Sequence, residues 1–445
     1  MKNKPRILFT TPVLQYPAVG GPYLRIENSI KALDKISELY IYSRVSLDAI
    51  GGATALSFYQ HYCKNFYFSP CTVPDKKYCR FGKRAINFMA REITKNNIFT
   101  WGKESSKDFQ ELLEIADTIQ ADVIWLGFGN ISYPLLKYIH SHSNYQVVLD
   151  TDSVWSRFIL RGLPFATNKS EYQKIKKAGQ EKEEEERWGT QLADVTTAVS
   201  EVDANYYSSL AKHPQQIHLF SNVVDTQTYQ QVPPPADNFK NPCIYLAGTF
   251  YPRSPMDDAA RWVIREVLPL VRQQIPNIHF YILGTGSKQT LSDINDPGIT
   301  VVGKLPSVLP YLYYVDVALV PLRFESGTRF KILEAGACGI PVVSTTLGAE
   351  GIPVTHGDDI LIADEPNTFA DSIIHLIKQH DFAIRMANIL KILVDEKYSV
   401  ASLAKEGQQI LDYLTQGISL LDPEGVVKAK VVQERVTEES YSSLS

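Results

Sequence analysis

The stretch Val317-Ala318-Leu319-Val320-Pro321-Leu322-Arg323-Phe324-Glu325-Ser326-Gly327-Thr328-Arg329-Phe330-Lys331-Ile332-Leu333-Glu334-Ala335-Gly336-Ala337-Cys338-Gly339-Ile340-Pro341 reads as a short apolar strand, a small-residue turn, a helix, a Gly-Pro stop and a second strand. Strand, helix and strand in that order make one βαβ unit, whose two strands lie parallel in a sheet. The same alternation extends in both directions. Strand candidates before it are Arg6–Thr10, Leu39–Ser43, Val123–Gly127, Gln146–Asp150, Val195–Val199, Cys243–Gly248, Ile278–Leu283 and Ile299–Val302; Val317–Val320 and Pro341–Ser344 bracket the unit itself. Amphipathic helical segments separate them, so the fold class is α/β with parallel sheets.

The run Gln231-Val232-Pro233-Pro234-Pro235-Ala236-Asp237-Asn238 breaks the series, because neither helix nor sheet continues through so many prolines. It divides the chain into an α/β domain over residues 1–230 and a second over 243–397. Open α/β sheets bind ligands at the carboxyl ends of their strands, so a cleft between the two sheets is the expected site. Residues 421–445 are polar and Ser/Glu-rich, and are expected to be disordered.

Composition narrows the function classes. The chain has 445 residues, 45 Lys+Arg against 49 Asp+Glu, and a formal charge of −4, which offers no global basic field for nucleic acid. No apolar run approaches the ~18–20 residues of a membrane span. Lys2, Lys4 and Arg6 precede Ile7-Leu8-Phe9, but Thr10, Thr11, Pro12 and Gln15 cut that run short, so it reads as a first strand rather than a signal peptide. Cys63, Cys71, Cys79, Cys243 and Cys338 include no CxxC pair, and a reduced, cytoplasmic protein without a metal site is expected.

In a helix starting near Thr328, residues Gly327, Lys331 and Glu334 share one face, with Phe330, Leu333 and Ala337 on the buried side. Free N–H groups of Gly327 and Thr328 favour an anion, Lys331 adds a positive charge one turn in, and Glu334 can accept hydrogen bonds from a diol. Phosphate followed by ribose fits that order. An ordinary Lys–Glu surface pair, worth ~0.2–0.5 kcal/mol, fits it as well.

Three further loops favour the first reading. Ala247-Gly248-Thr249-Phe250-Tyr251-Pro252-Arg253 follows a strand and leads into a helix signalled by Ser254 as N-cap, Pro255 at its first position and Asp257 and Asp258 in its first turn. Arg253 would sit beside the cleft, able to grip a diphosphate. Gly284-Thr285-Gly286 ends another strand; a plain turn is its simpler meaning. Val302-Gly303-Lys304-Leu305-Pro306 ends a third, ahead of a helix capped by Ser307, and its backbone could hydrogen-bond a planar base.

These segments resemble glycosyltransferase family 4, the retaining, nucleotide-sugar-dependent GT-B enzymes. The resemblance is carried by Pro255-Met256-Asp257-Asp258-Ala259-Ala260-Arg261-Trp262, by Gly327-Thr328-Arg329-Phe330-Lys331-Ile332-Leu333-Glu334-Ala335, and by Gly339–Thr345 and Gly348-Ala349-Glu350-Gly351-Ile352. It implies two Rossmann-like domains facing each other across a cleft, with a helix over residues 398–420 returning to the first domain. It places Arg253 and Lys331 on the donor diphosphate and Glu334 on its ribose, with Gly327, Thr328, Gly284, Gly303 and Leu305 around the nucleotide. Glu325 would face the sugar. On the acceptor side it points to the glycine-rich Pro17-Ala18-Val19-Gly20-Gly21-Pro22, hence Gly20 and Gly21, and to Asp152 in Asp150-Thr151-Asp152. No cofactor or metal is implied; the donor is a nucleotide diphosphate sugar.

Three departures from the family pattern stand out. Eight residues separate Glu325 from Glu334 where the family has seven, so an exposed loop carboxylate is an alternative for Glu325. Met256 replaces the usual Asn. The segment Val123–Asn130 carries no histidine where many relatives do, leaving Asp152 as the candidate acceptor-activating base.

Residues 63–100 mix eight basic residues with seven Phe and Tyr. That mixture suits peripheral contact with an anionic membrane and a lipid-linked acceptor, although a solvated insertion with a few core aromatics explains it more simply. The acidic run Glu181-Lys182-Glu183-Glu184-Glu185-Glu186 reads as a solvated helix face. The leading expectation is sugar transfer, with retention, to a glycan, lipid-linked glycan or small-molecule acceptor. A nucleotide-sugar 2-epimerase and a catalytically silent nucleotide-sugar binder remain open. A dinucleotide-dependent oxidoreductase is disfavoured, since no GxGxxG follows the first strand.

Overall fold

The computed structural model describes residues 4–69, 106–325 and 329–420. Gly327, Thr328, Cys71, Cys79, most of the basic aromatic stretch and the C-terminal tail lie outside the described residues. Two parallel sheets form the frame. The first contains β1 (Arg6–Thr11), β2 (Glu38–Ser43), β3 (Asn65–Phe68), β4 (Val123–Gly127), β5 (Gln146–Asp150), β6 (Val195–Ala198) and β7 (Ile217–Leu219), in the order β3-β2-β1-β4-β5-β6-β7. The second contains β8 (Cys243–Ala247), β9 (His279–Leu283), β10 (Ile299–Gly303), β11 (Val317–Val320), β12 (Val342–Ser344) and β13 (Leu361–Ile362), in the order β10-β9-β8-β11-β12-β13. Each is a Rossmann-like sheet. The central strands read as continuous apolar runs because helices cover both faces: Ile7, Leu8, Phe9, Ile124, Trp125 and Leu126 are all fully buried.

Strand order reverses at β1/β4 in the first sheet and at β8/β11 in the second, and a crevice opens at such a switch point. The loops bearing Gly20, Gly248 and Glu325 follow β1, β8 and β11, so topology alone brings them to the crevices. Three short strands, β3, β7 and β13, escape the sequence reading; with two to four residues each they lack the length that makes a strand legible.

Local signals account for the helices near the site. Ser254 Oγ accepts the Asp257 N–H at 3.1 Å, Pro255 opens the helix Pro255–Trp262, and its apolar side (Met256, Ala259, Ala260, Trp262) is buried. The helix Phe330–Cys338 ends where Gly339 turns left-handed at φ 69°, with Gly339 N–H bonded to Gly336 O and Ile340 N–H to Ala335 O. That is a Schellman ending, followed by Pro341.

Between the domains, Val224 N–H donates to Tyr398 O at 3.0 Å, so the outgoing and returning chains run side by side. The helix Val400–Leu420 then packs on the helix Gly21–Ile36, placing Leu403, Ile410, Leu411 and Leu414 in the core of the first sheet. Among the described residues no helix is long and apolar enough to cross a membrane.

Three expectations need correction. The Lys331 helix begins at Phe330, not near Thr328, because Arg329 holds an extended backbone (φ −89°, ψ 103°); Lys331 is therefore in its first turn. Val308, not Ser307, caps the helix Leu309–Leu312, although Ser307 Oγ still accepts the Leu309 N–H. The acidic run is not wholly solvated: Glu186 is fully buried, accepting from Ser156 N–H and Oγ–H, and burial pushes its carboxyl up to about 7.

Candidate donor and acceptor site

Backbone hydrogen bonds draw the three second-domain loops into one rim. Gly248 N–H donates to Leu283 O at 3.0 Å, Phe250 N–H to Thr285 O at 2.8 Å and Gly284 N–H to Gly303 O at 2.8 Å. The GxG glycines have a steric reason: a Cβ on Gly284 (φ +123°) would lie 1.8 Å from Gly248 O, and one on Gly286 2.1 Å from Phe250 O. Gly303 also takes a positive φ of 91°, beside the Lys288 side chain, and Leu305 is half-buried against the domain core.

Arg253 ends this rim in a left-handed conformation, φ 63°, with its N–H bonded to Asp257 Oδ2 at 2.7 Å. Such a backbone is unfavourable for a side chain this large and persists only where neighbours hold it. Its guanidinium reaches across the cleft to Glu171 Oε1 at 2.9 Å and to Phe165 O at 3.2 Å, both in the first domain. Hydrogen bonds from Thr167, then Arg253, keep the Glu171 carboxyl below its ordinary range.

The helix after β11 carries the charged pair. Lys331 makes no hydrogen bond or ion pair with any described residue; burial pulls its pKa down, with Glu325 and Glu334 opposing that pull and Arg329 reinforcing it. Glu334 is raised by burial, and its Oε1 accepts the Tyr229 hydroxyl at 3.0 Å. Tyr229 lies on the crossing between the domains, and its own carbonyl accepts from Tyr313 Oη. Glu325 is not an exposed loop carboxylate: its side chain is 28% exposed, and Oε2 sits without a hydrogen bond 3.6 Å from Arg329 Nε.

Directly opposite lies the glycine loop. Gly20 (φ +94°) caps the helix Gly21–Ile36 without a side-chain hydrogen bond, and a Cβ on Gly21 would come 3.1 Å from Phe330 Cδ2. The amino ends of the two helices, one from each domain, therefore meet in the cleft. Each contributes a partial positive charge and N–H groups free of helical partners, and Lys331 adds a full charge in the first turn of one of them. An anion is what this geometry favours.

In the first domain, Asp152 follows β5. Its N–H donates to Asn130 Oδ1 at 2.9 Å and its Oδ1 accepts Trp155 Nε1–H at 2.9 Å. Burial raises its carboxyl to about 6, with Arg25 and the Trp155 hydrogen bond acting against the shift. A carboxylate poised there is suited to proton removal near neutral pH. Phe128 occupies the turn where a histidine is absent, its ring 6.1 Å from that of Trp155.

Sequence reasoning missed Tyr229, Glu171, Arg157, Arg161 and Glu350. Arg157 and Arg161, four apart on a short helical segment, did offer a signal in their shared face. Tyr229, an aromatic embedded in a polar crossing, offered a weaker one.

Residues 241–379 match the family model for glycosyl transferases group 1. A Klebsiella pneumoniae protein described as an uncharacterized 44.6 kDa protein in the cps region is 26% identical over 159 residues, 33% of this chain and 41% of that protein, so the match spans less than half of the relative. Among solved structures, Anabaena HepE in complex with UDP superposes with a TM-score of 0.60 at 13% identity, covering 92% of this chain and all of that one. Sucrose-phosphate synthase from Thermosynechococcus elongatus gives 0.65 at 15% identity, covering 93% and 100%. S. aureus TarM, solved with fondaparinux, α-GlcNAc-glycerol and UDP, gives 0.60 at 11% identity, covering 91% and 99%. The chain has the GT-B fold, and its second domain matches the group 1 glycosyltransferases.

Proposed function

We propose that the protein is a retaining glycosyltransferase that moves a sugar from a nucleotide diphosphate sugar to a glycan, lipid-linked glycan or small-molecule acceptor. The observation that carries this reading is Lys331: a half-buried cation without a partner among the described residues, in the first turn of a helix whose amino end meets that of the glycine-loop helix and which also carries Glu334. Holding a charge there is costly, and a diphosphate would offset the cost. In transfer, negative charge builds on the leaving diphosphate, and fixed positive charge in a cleft shielded from water acts most strongly on it. Glu334, steadied by Tyr229, would accept the ribose hydroxyls. Arg253 would join the diphosphate by leaving Glu171, and Glu325 would face the sugar.

The acceptor hydroxyl would enter from the first domain, beside Gly20, Gly21 and Asp152. Retention with no protein nucleophile means attack on the face the diphosphate leaves, with the departing phosphate sharing the proton and Asp152 a candidate to receive it. Similar folds solved with UDP, with UDP-glucose and with glycan ligands support a nucleotide-sugar donor and a sugar-like acceptor.

The test is nucleotide release by purified protein over a panel of UDP- and GDP-sugars, with mass spectrometry of the product. Acceptor-dependent release from one donor is expected. Conversion of the donor without net transfer would point instead to epimerisation, and nucleotide binding without turnover to a silent binder.

A further inference from the structure

A compact ionic cluster ties the two domains together beside the donor helix. Arg157 and Arg161 lie one turn apart at the end of the helical segment Trp155–Leu160 of the first domain. Glu350, on the loop after β12, receives both: Arg161 Nη1 at 2.6 Å on Oε2, Arg161 Nη2 at 2.7 Å and Arg157 Nη2 at 3.1 Å on Oε1. The Arg161 guanidinium thus grips the carboxylate as a two-pronged fork, which fixes orientation as well as distance. Its Nη1 also donates to the backbone carbonyl of Glu325 at 2.6 Å. On its other side Arg157 lies 3.5 Å from Asp203 Oδ1, and Phe165 packs on Phe324 with ring centroids 4.3 Å apart.

Two features separate this cluster from an incidental surface bridge. Its side chains are 20–24% exposed, so they are partly desolvated. Burial pushes the Glu350 pKa up, but Arg161 foremost, then Arg157 and Arg329, bring it below its ordinary range, which marks a strongly held anion. More specifically, one first-domain side chain holds two separate second-domain loops at once, the ones following β11 and β12 at the mouth of the crevice.

We propose that Arg161, seconded by Arg157, is a positioning residue for sugar transfer. By clamping Glu350 and the Glu325 carbonyl together, it sets the donor loops of the second domain at the separation from the first at which donor sugar and acceptor meet. Domain closure and assembly of the donor site are then one step. This rests on the transfer reading above.

The experiment compares full-length wild type with Arg161→Ala, Glu350→Ala, their combination and Arg161→Lys. Small-angle scattering reads domain separation, nucleotide release reads kcat, calorimetry reads UDP and GDP affinity, and thermal unfolding checks folding. Misplacing reacting groups by about 1 Å costs up to ~100-fold, so each single variant should lose on the order of 10- to 100-fold in kcat. Nucleotide affinity should stay within ~3-fold, the double variant should be no worse than the worse single, and scattering should show a more open particle. Arg161→Lys, which keeps charge but not the fork, should restore less than half of the lost rate. Unchanged kcat, additive losses, or scattering identical to wild type in every variant would overturn the proposal. If wild type releases nucleotide from no donor, the transfer reading fails, and scattering alone decides whether Arg161 holds the domains closed.

Discussion

Two cations near the amino ends of the helices that meet in the cleft, buried Arg25 and half-buried Lys331, are treated in opposite ways. Arg25, in the helix after the glycine loop, pairs with Asp150 and donates to Asn222 Oδ1 at 2.8 Å and Phe220 O at 3.2 Å. Asp150 is in turn held by Thr197 Oγ1 at 2.9 Å and Trp125 Nε1 at 3.2 Å. Lys331 has no such partners among the described residues. A buried charge enclosed by hydrogen bonds serves the fold. One left without them, at the mouth of a crevice, is available to a ligand.

The largest expected effect breaks the structural half of this contrast. Arg25→Ala leaves Asp150 buried without its cation and should cost about 3–5 kcal/mol of stability by urea denaturation. A loss under ~1 kcal/mol would show that the pair is dispensable.

Next comes the functional half. Glu334→Ala should reduce kcat/KM for the donor by about 10- to 100-fold, the range for hydrogen bonds to a charged group, while the unfolding midpoint stays at or above that of wild type because burial of the carboxylate is relieved. Steady-state kinetics and thermal unfolding decide together. Equal losses in both would make Glu334 a structural residue.

Asp152 sharpens the comparison through pH. Its carboxyl sits near 6 instead of its ordinary 3.8, so it gains a proton as pH falls through 6 and a base would be lost there. Transfer should fall below pH 6 in wild type, and Asp152→Asn should remove that limb of the profile along with most of the rate. The same upward shift means that wild-type stability drops as pH rises from about 4 to 6, since the folded state binds the extra proton. An unaltered acid limb in Asp152→Asn would exclude it as the base.

The smallest effect is at Tyr229→Phe. Losing one hydrogen bond to the Glu334 carboxylate should raise the donor KM by roughly 3- to 10-fold with kcat nearly unchanged. A change confined to kcat would place Tyr229 elsewhere in the reaction.

What could be read in advance follows from the range of the interactions. The cap at Ser254, the Gly339 stop and the spacing that puts Lys331 and Glu334 on one helix depend on neighbours within one or two turns, and all were legible. The start of the Lys331 helix was not, because Arg329, a good helix former, is held extended by its surroundings. Glu186 was misread for a similar reason: its run of like charges is local, but the Ser156 that buries it lies 30 residues away. The bridge from Arg161 to Glu350, 189 residues apart, exists only where the two domains meet, and that from Tyr229 to Glu334, 105 apart, only once the crossing packs on the second sheet's core. No spacing rule within one segment contains them.

On the transfer reading, Lys331 is held ready for a diphosphate. Calorimetric titration of UDP and GDP into wild type and Lys331→Met tests it most directly. Saturable binding of one nucleotide to wild type is expected, with at least ~10-fold weaker binding to Lys331→Met and an unfolding midpoint for the variant no lower than wild type. Equal affinity in the two proteins, or binding of neither nucleotide to wild type, would contradict it.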